Sequence, residues 1–409
     1  MATTKLGTTT TRRVVPPCGG VSRRSGREWR GPGLACTGLP RRLALYGITG
    51  GACLGLGPGG ISLRAEPRAR GSEQATSLGE ASRCESGNAA RTSYWDAGPY
   101  RVGNVKLEHT CSICFPKVVG DQCIIRTHIY YPSEHADSSC LPTDPRKRRP
   151  WPLAIISSGF LVNSDQYRSY AEQLASYGYV AVLYDKVENI NSTIDDDTST
   201  VFISEIINWC ETASFANDIS TESVYLVGHS RGGKISLLAA ENDSRIKCVT
   251  LIDPVDSNGY APEGPGYPSA IKQLRKPEVA NLPIAIIGGG RNGDCIPTQS
   301  NYDRFFEGSQ SPLTLELTIE DAGHFQFLGE KPSMMQTAVC SSGKIPDRAV
   351  RDVSKALIVA WPEIMLSQEK NTKEKVEEAK ASVEDMKRIL TASYGVQGGS
   401  INSQLKGVL

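Results

Sequence analysis

The strongest chemical signal in the chain is a serine between two glycines, in the segment Gly228-His229-Ser230-Arg231-Gly232. This segment fits the pattern G-x-S-x-G, in which a sharp turn between a strand and a helix lifts a serine hydroxyl above a sheet. The glycines are needed because the neighbouring backbone passes too close for a Cβ atom. An apolar stretch, Val224–Val227, precedes the turn, and a helical stretch, Lys234–Ala240, follows it. We therefore predict that Ser230 is a nucleophile and not a structural turn serine.

A serine hydroxyl needs a general base, and histidine is scarce in this chain. The five histidines are His109, His128, His135, His229 and His324. In the α/β-hydrolase fold, where this serine motif occurs, the chain order is nucleophile, acid, histidine. His229 lies inside the motif and three others precede it, so His324 is the predicted base.

The acid that orients the histidine has two candidates. Asp253 opens the segment Asp253-Pro254-Val255-Asp256, at the end of the strand after the serine motif. Asp294 follows the next strand, after the turn Gly288-Gly289-Gly290. Either position suits a carboxylate that fixes the imidazole tautomer and stabilises its positive form. Spacing alone does not choose between them.

An acyl-transfer site also needs backbone donors for the developing oxyanion. The expected donors are the N–H of Arg231, which follows the serine, and the N–H of Phe160, in the turn after the third strand. Apolar side chains near these positions fit either a rim for a hydrophobic ester or ordinary core packing: Phe160, Leu161, Val162, Phe325 and Phe327.

Strand-like and helix-like stretches alternate from about residue 95, as in an α/β fold. The predicted strands are 102–107, 123–131, 153–157, 179–184, 224–227, 246–252, 283–287 and 313–319, and the predicted helices are 166–177, 201–210, 234–240 and 348–361. Continuous apolar strands between helices indicate a mostly parallel central sheet covered on both faces. Residues 90–365 are thus predicted to form one catalytic domain of the α/β-hydrolase fold.

The C-terminal segment, residues 366–409, has a different character. Its charged part carries an apolar seam spaced 3, 4, 3, 4, formed by Val376, Ala379, Val383, Met386 and Leu390. This spacing predicts an amphipathic helix that lies on the domain or on a partner. Residues 392–409 are predicted to be disordered.

The N-terminal segment is basic, with ten Lys and Arg residues against one acid in residues 1–65. Such a segment is typical of a plastid targeting peptide, here assigned to residues 1–70, and not of a nucleic-acid arm. The pair Arg41-Arg42 precedes 21 uncharged residues, 43–63, which include seven glycines and Pro58. This part is similar to a twin-arginine export signal. It fits a bipartite lumenal leader or the tail of a stromal transit peptide.

Twelve cysteines raise the question of a metal site. Cys111-x-x-Cys114 lies near Cys123, but no fourth ligand follows at zinc-finger spacing. We therefore expect thiols or a disulfide there, and neither a metal nor an organic cofactor. A Cys295–Cys340 bridge is a second candidate, since the two cysteines flank the segment of His324.

Four motifs together resemble the chlorophyllase family: Gly-His-Ser-Arg-Gly-Gly-Lys at 228–234, Asp-Pro-Val-Asp at 253–256, Gly-Phe-Leu at 159–161, and Gly323-His324 before an apolar segment. The resemblance covers about residues 95–362, and we expect an algal member. It implies hydrolysis of the phytyl ester of chlorophyll, with Asp253 as the acid. It also implies a plastid location (stroma, thylakoid surface or lumen), a chlorophyll-type substrate and peripheral contact with the thylakoid membrane.

Two segments depart from the family pattern. Ser158 stands where the family usually has histidine, and Phe325-Gln326-Phe327-Leu328-Gly329 stands where it usually has Met-Asp-Met-Leu-Asp. These departures bear on which pigment is preferred. The other functions considered are a general lipase or polyester-type carboxylesterase of the same fold, and a catalytically silent pigment-binding protein.

Overall fold

The computed structural model describes residues 94–135, 150–189, 191–213, 218–259, 261–291, 296–330, 334–397 and 400–407. The predicted targeting segment, residues 1–70, lies outside these ranges. Asp294 and Cys295 lie outside them as well. No helix within the described ranges is long and apolar enough to cross a bilayer.

A single nine-stranded sheet organises the described residues. Its strands are β1 (Tyr100–Thr110), β2 (Ile124–His135), β3 (Trp151–Ser157), β4 (Val180–Lys186), β5 (Ile219–His229), β6 (Ile246–Ile252), β7 (Ile284–Gly289), β8 (Thr314–Ile319) and β9 (Ile401–Leu405). They follow the order β1-β2-β4-β3-β5-β6-β7-β8-β9. Strands β3 to β8 run parallel to one another, whereas β1 pairs antiparallel with β2, β2 with β4, and β9 with β8. The chain has the α/β-hydrolase fold.

Helices cover both faces of this sheet. They are α1 (Arg168–Ser176), α2 (Asp196–Thr212), α3 (Arg231–Asn242), α4 (Ala270–Gln273), α5 (Tyr302–Gly308), α6 (Met334–Val339), α7 (Asp347–Met365) and α8 (Thr372–Tyr394). One core cluster joins the sheet to α1, α7 and α8, and a second joins it to α2, α3 and α5. The central strands are buried on both faces, which explains why their sequences are continuously apolar.

All eight predicted strands are confirmed, and the four predicted helices occur with shifted ends. The largest shift is in α2, which begins at Asp196 and not near Val201. The side chain of Asp195 accepts a hydrogen bond from the Thr198 N–H at 2.6 Å. This N-cap hydrogen bond stabilises a helical conformation for the polar residues that precede Val201. Helix α7 likewise continues through Pro362 for three residues.

The prediction of disorder for residues 392–409 is wrong for the described part of that segment. Gly395 ends α8 in the left-handed conformation, and β9 then pairs with β8. Lys406 Nζ donates to the carbonyl of Ser309 at 2.7 Å, which holds the end of the chain against α5. The sequence of β9 has little apolar character because the strand lies at the sheet edge, with only Ile401 buried.

The apolar seam of α8 faces the body of the protein. All five seam residues predicted from the spacing are buried: Val376, Ala379, Val383, Met386 and Leu390. The charged side chains form ion pairs on the outer face of the helix, such as Lys380 with Glu377. Of the two locations proposed for this helix, the domain surface is therefore the one that it occupies.

The cysteines form no metal site among the described residues. Cys111 and Cys114 form a disulfide, and Cys123 is a buried free thiol. Cys340 is also disulfide-bonded. Its suggested partner, Cys295, lies outside the described residues, so the pairing stays a prediction.

Candidate active site

Ser230 lies at the turn between β5 and α3, as the motif predicts. Its backbone has φ 56° and ψ −125°, a strained conformation for a residue with a Cβ atom. The Ser230 N–H donates to the carbonyl of Ile252 in β6 at 2.9 Å, which fixes the turn against the neighbouring strand. A Cβ at Gly228 would lie 2.2 Å from the Gly232 carbonyl oxygen, and one at Gly232 would lie 2.2 Å from that of Ser157. The turn therefore requires both glycines.

His324 and Asp253 come together from two different strand ends. His324 begins a short 3₁₀ helix after β8, and Asp253 follows β6 directly. Their side chains are almost fully buried, and His324 Nδ1 lies 2.6 Å from Asp253 Oδ2. The other carboxylate oxygen accepts the Gly289 N–H at 3.0 Å. An ionised carboxylate only accepts, so His324 carries its proton on Nδ1 and leaves Nε2 available as a base.

A second histidine ties this pair to the serine turn. The ring of His229, next to Ser230, stacks on the ring of His324 with 4.6 Å between the centroids. His229 Nε2–H donates to the backbone carbonyl of His324 at 3.2 Å. The Tyr167 hydroxyl donates to His229 Nδ1 at 2.7 Å and accepts the N–H of Gly159 at 3.1 Å. This chain of bonds connects the turn after β3, the serine turn and the His324 segment.

The interior position of His229 keeps its imidazole neutral. Burial and the neighbouring His324 lower the pKa of His229 well below its ordinary value of 6.5. A neutral ring donates on one nitrogen and accepts on the other, and both partners described above need that form. The position of His229 inside the serine motif hides this role from the sequence, where the only sign of it is the rarity of histidine.

Replacing His229 with phenylalanine should lower the free energy of unfolding by about 1–3 kcal/mol near neutral pH. The ring stack is kept, but the Tyr167 hydroxyl and the His324 carbonyl lose their partner. Below about pH 6.5 the unfolded wild-type chain binds a proton at His229, whereas the folded protein keeps this imidazole neutral. Because the unfolded state binds more protons, the free energy of unfolding decreases as the pH drops. Phenylalanine cannot bind a proton, so the variant does not have this pH-dependent loss of stability.

Denaturant unfolding of both proteins at about pH 7 and about pH 5 measures this effect. The stability gap between wild type and His229→Phe should narrow at the lower pH. A gap that is unchanged or wider would contradict a neutral, buried His229.

The two predicted oxyanion donors lie beside the nucleophile. Arg231 is the first residue of α3, and helix geometry gives its N–H no acceptor within the helix. Phe160 belongs to the turn after β3, in which the Val162 N–H donates to the Gly159 carbonyl at 3.2 Å. Phe160, Ser230 and Arg231 line one small cavity. Their oxyanion role stays a prediction that this arrangement permits.

A buried charge network, which sequence reasoning missed, supports the same turn. Arg231 Nε lies 2.7 Å from one oxygen of Asp196, and Lys234 Nζ lies 2.8 Å from the other. Arg231 also pairs with Glu188 at 3.4 Å and donates to the carbonyl of Ile194. These contacts bind the start of α2, and the polar segment before it, to the helix that follows the nucleophile. The polar composition of that segment gave no sign of a buried partner.

The predicted apolar rim is only partly exposed. Leu161 is exposed and has a positive φ of 53°, while Val162 and Phe325 are half-buried. Phe325 makes an edge contact with the His324 ring at 5.2 Å between centroids. Phe327 is fully buried and packs near His229, so its assignment to the rim is wrong. Its 3₁₀ helix turns that side chain into the core.

Taken together, the geometry suits acyl transfer through a serine. A hydroxyl on a strained turn, an oriented imidazole with a free Nε2 and adjacent backbone donors are the parts that ester hydrolysis requires. Asp253 is the acid of the two candidates that contacts His324; Asp294 lies outside the described residues.

Comparison with known proteins gave a structural match, no curated relative and a family match. The solved structures include a ferulic acid esterase from Streptomyces cinnamoneus, which is 16% identical, with 64% of this chain and 88% of that chain covered at a TM-score of 0.46. No curated protein matches the chain. The family model described as Chlorophyllase matches residues 117–387, further into α8 than the expected limit of residue 362. Since this match spans more than half of the sequence, the chain belongs to the chlorophyllase family.

Proposed function

We propose that this carboxylic ester hydrolase cleaves the phytyl ester of chlorophyll, using Ser230 as nucleophile, His324 as base and Asp253 as its orienting acid. The observation that carries the proposal is the buried 2.6 Å contact between His324 Nδ1 and Asp253, with His324 stacked over the residue next to Ser230. Membership in the chlorophyllase family supports the pigment substrate.

In the acylation step, His324 Nε2 accepts the hydroxyl proton of Ser230 while Oγ attacks the ester carbonyl carbon. The carbonyl electron pair moves to the oxygen, where the N–H groups of Phe160 and Arg231 stabilise the negative charge. Collapse of this intermediate breaks the bond to the alcohol oxygen. Phytol leaves with the proton from His324, and the pigment acid remains as an ester of Ser230.

Deacylation repeats these steps with water. His324 takes one proton from a water molecule, whose oxygen attacks the acyl carbon, and then returns that proton to Oγ of Ser230. Asp253 stays ionised and holds the imidazolium that forms in each half. The free acid is chlorophyllide. No step requires a metal or an organic cofactor of the protein.

The test is a competition between two esters of different size. Turnover of p-nitrophenyl butyrate is followed with increasing chlorophyll a in detergent. Because both acylate the same serine, chlorophyll should inhibit competitively, with an inhibition constant equal to its own KM. Its kcat/KM should exceed that of the short ester.

Two other results would replace the proposal. Cleavage of the short ester without any turnover of chlorophyll would indicate a general lipase or polyester-type esterase. Chlorophyll binding without turnover of either ester would indicate a silent pigment-binding protein.

We also propose a plastid location and a three-part organisation: a targeting segment at 1–70, the catalytic domain at 90–365 and the C-terminal segment at 366–409. The basic, acid-poor composition of residues 1–65 supports the first part. Import of the full chain into isolated chloroplasts, with removal of the leader, tests it. Recovery of an uncleaved chain outside the organelle would contradict it.

A further inference from the structure

The connection between β1 and β2, residues 111–123, carries an unusual set of exposed apolar side chains. We name it the disulfide loop. Ile113, Phe115 and Val119 are 54%, 63% and 56% exposed. These three lie within seven residues of one another, whereas most surface apolar side chains occur singly. A cluster of this kind needs an explanation.

The exposure is built into the loop, because its inner side is well packed. The Cys111–Cys114 disulfide closes one turn, and the Cys111 N–H donates to the Cys123 carbonyl at 2.8 Å. The Cys123 thiol donates to the Val118 carbonyl at 3.0 Å. All these residues are buried, and they hold the exposed side chains in fixed positions. Binding through them therefore costs little ordering entropy.

The disulfide loop lies at the end of the sheet that carries the nucleophile. Strand β2 begins just after the loop, and its Ile125 pairs with Lys186, the last residue of the parallel strand β4. The loop thus projects from the carboxyl ends of the parallel strands, where Ser230 follows β5. A hydrogen bond also links the loop to the segment before α2: Gln122 Nε2 donates to Ser192 Oγ at 2.7 Å.

From Ser192 the polar segment continues to the nucleophile helix. Two residues further on, the carbonyl of Ile194 accepts a hydrogen bond from the Arg231 guanidinium, next to Ser230. The disulfide loop is therefore connected to the serine turn by one short segment of chain. A partner that binds the exposed side chains of the disulfide loop would therefore lie on the same side of the sheet as Ser230.

We propose that the disulfide loop inserts into the surface of a lipid bilayer and holds the active site over membrane-embedded substrate. The disulfide loop carries two charged residues, both exposed: Lys117 lies among the apolar side chains, and Asp121 lies at the end of the loop next to β2. Exposed apolar side chains beside an exposed cation match the boundary between acyl chains and anionic headgroups. The inference rests on the proposed function, since a phytylated pigment resides in membranes.

Position-specific quenching tests the insertion on the full chain. Phe115→Trp and the matched control Val105→Trp, on the exposed face of β1, are each mixed with vesicles of phosphatidylcholine and phosphatidylglycerol containing brominated acyl chains. Compared with the wild type, the variant with tryptophan at 115 should show stronger quenching of its fluorescence and a blue shift of its emission. The variant with tryptophan at 105 should show neither change. Equal quenching at both positions, or at neither, would overturn the proposal.

A triple variant, Ile113→Ser, Phe115→Ser and Val119→Ser, separates docking from catalysis. Burial of these side chains in lipid predicts at least a roughly tenfold loss in hydrolysis of vesicle-embedded chlorophyll. Turnover of p-nitrophenyl butyrate should be unchanged. Unchanged hydrolysis of the embedded pigment would refute docking alone, whereas quenching at 115 in a protein that cleaves no chlorophyll would refute the proposed substrate alone.

Discussion

Ser230→Ala is expected to lower kcat for ester hydrolysis by about 10⁶-fold, the scale seen when a serine nucleophile is removed from a triad enzyme. The variant keeps the φ 56° backbone and the N–H donor to Ile252, so the fold should be intact. What it loses is the oxygen that forms the covalent intermediate. Active-site labelling with a fluorophosphonate, together with p-nitrophenyl butyrate kinetics, measures the effect.

Ser354→Ala is the matched control for this variant. Ser354 is fully buried, and its hydroxyl donates within α7 to the Val350 carbonyl at 2.8 Å. It should retain both activity and labelling. If Ser230→Ala still hydrolyses the ester, and reaction with the fluorophosphonate stops that hydrolysis, the nucleophile is a different residue.

Asp253→Asn is expected to lower kcat by about 10⁴-fold with a smaller effect on KM. The amide would present a donor to His324 Nδ1 and so favour the imidazole tautomer with its proton on Nε2. That nitrogen then cannot accept the serine proton. Asparagine and aspartate side chains are nearly equal in size. The substitution therefore removes the negative charge from the 2.6 Å contact with His324 and from the acceptor of the Gly289 N–H, with little change in packing. Steady-state kinetics with the short ester provide the measurement.

Two companions make the second experiment specific. Asp352→Asn, in α7, removes a buried carboxylate that bonds Tyr394 and pairs with Lys355, and it should leave kcat unchanged. Asp294→Asn tests the other candidate acid and should also retain activity. A large loss in Asp294→Asn with full activity in Asp253→Asn would reverse the assignment.

Much of the fold could be predicted because the central strands are buried on both faces. β6 lies within the bounds expected from its apolar run, Ile246–Ile252. Elements whose stability comes from neighbours were missed. β9 is one polar edge strand held by pairing with β8, and the start of α2 depends on the Asp195 cap and on the buried partners of Asp196. The Asp195 cap is a local signal, but the pairing of β9 and the buried partners of Asp196 lie far along the chain and leave no mark in local composition.

The candidate site divides along the same line. Ser230 could be predicted because its turn demands a fixed pattern, and His324 because few histidines compete for its place. Asp253 required the family resemblance, since two carboxylates follow strand ends equally well. For His229 the sequence offers only the rarity of histidine, because the role of this residue depends on a tyrosine 62 positions away along the chain.

The most direct test of the central claim is hydrolysis of purified chlorophyll a by the full chain, run beside its Ser230→Ala variant. The wild type should release chlorophyllide and phytol in equal amounts, and the variant should release neither. Chlorophyllide formed equally by both proteins would contradict catalysis through Ser230. Its absence from both, with p-nitrophenyl butyrate still cleaved by the wild type, would contradict the pigment substrate and leave a general esterase.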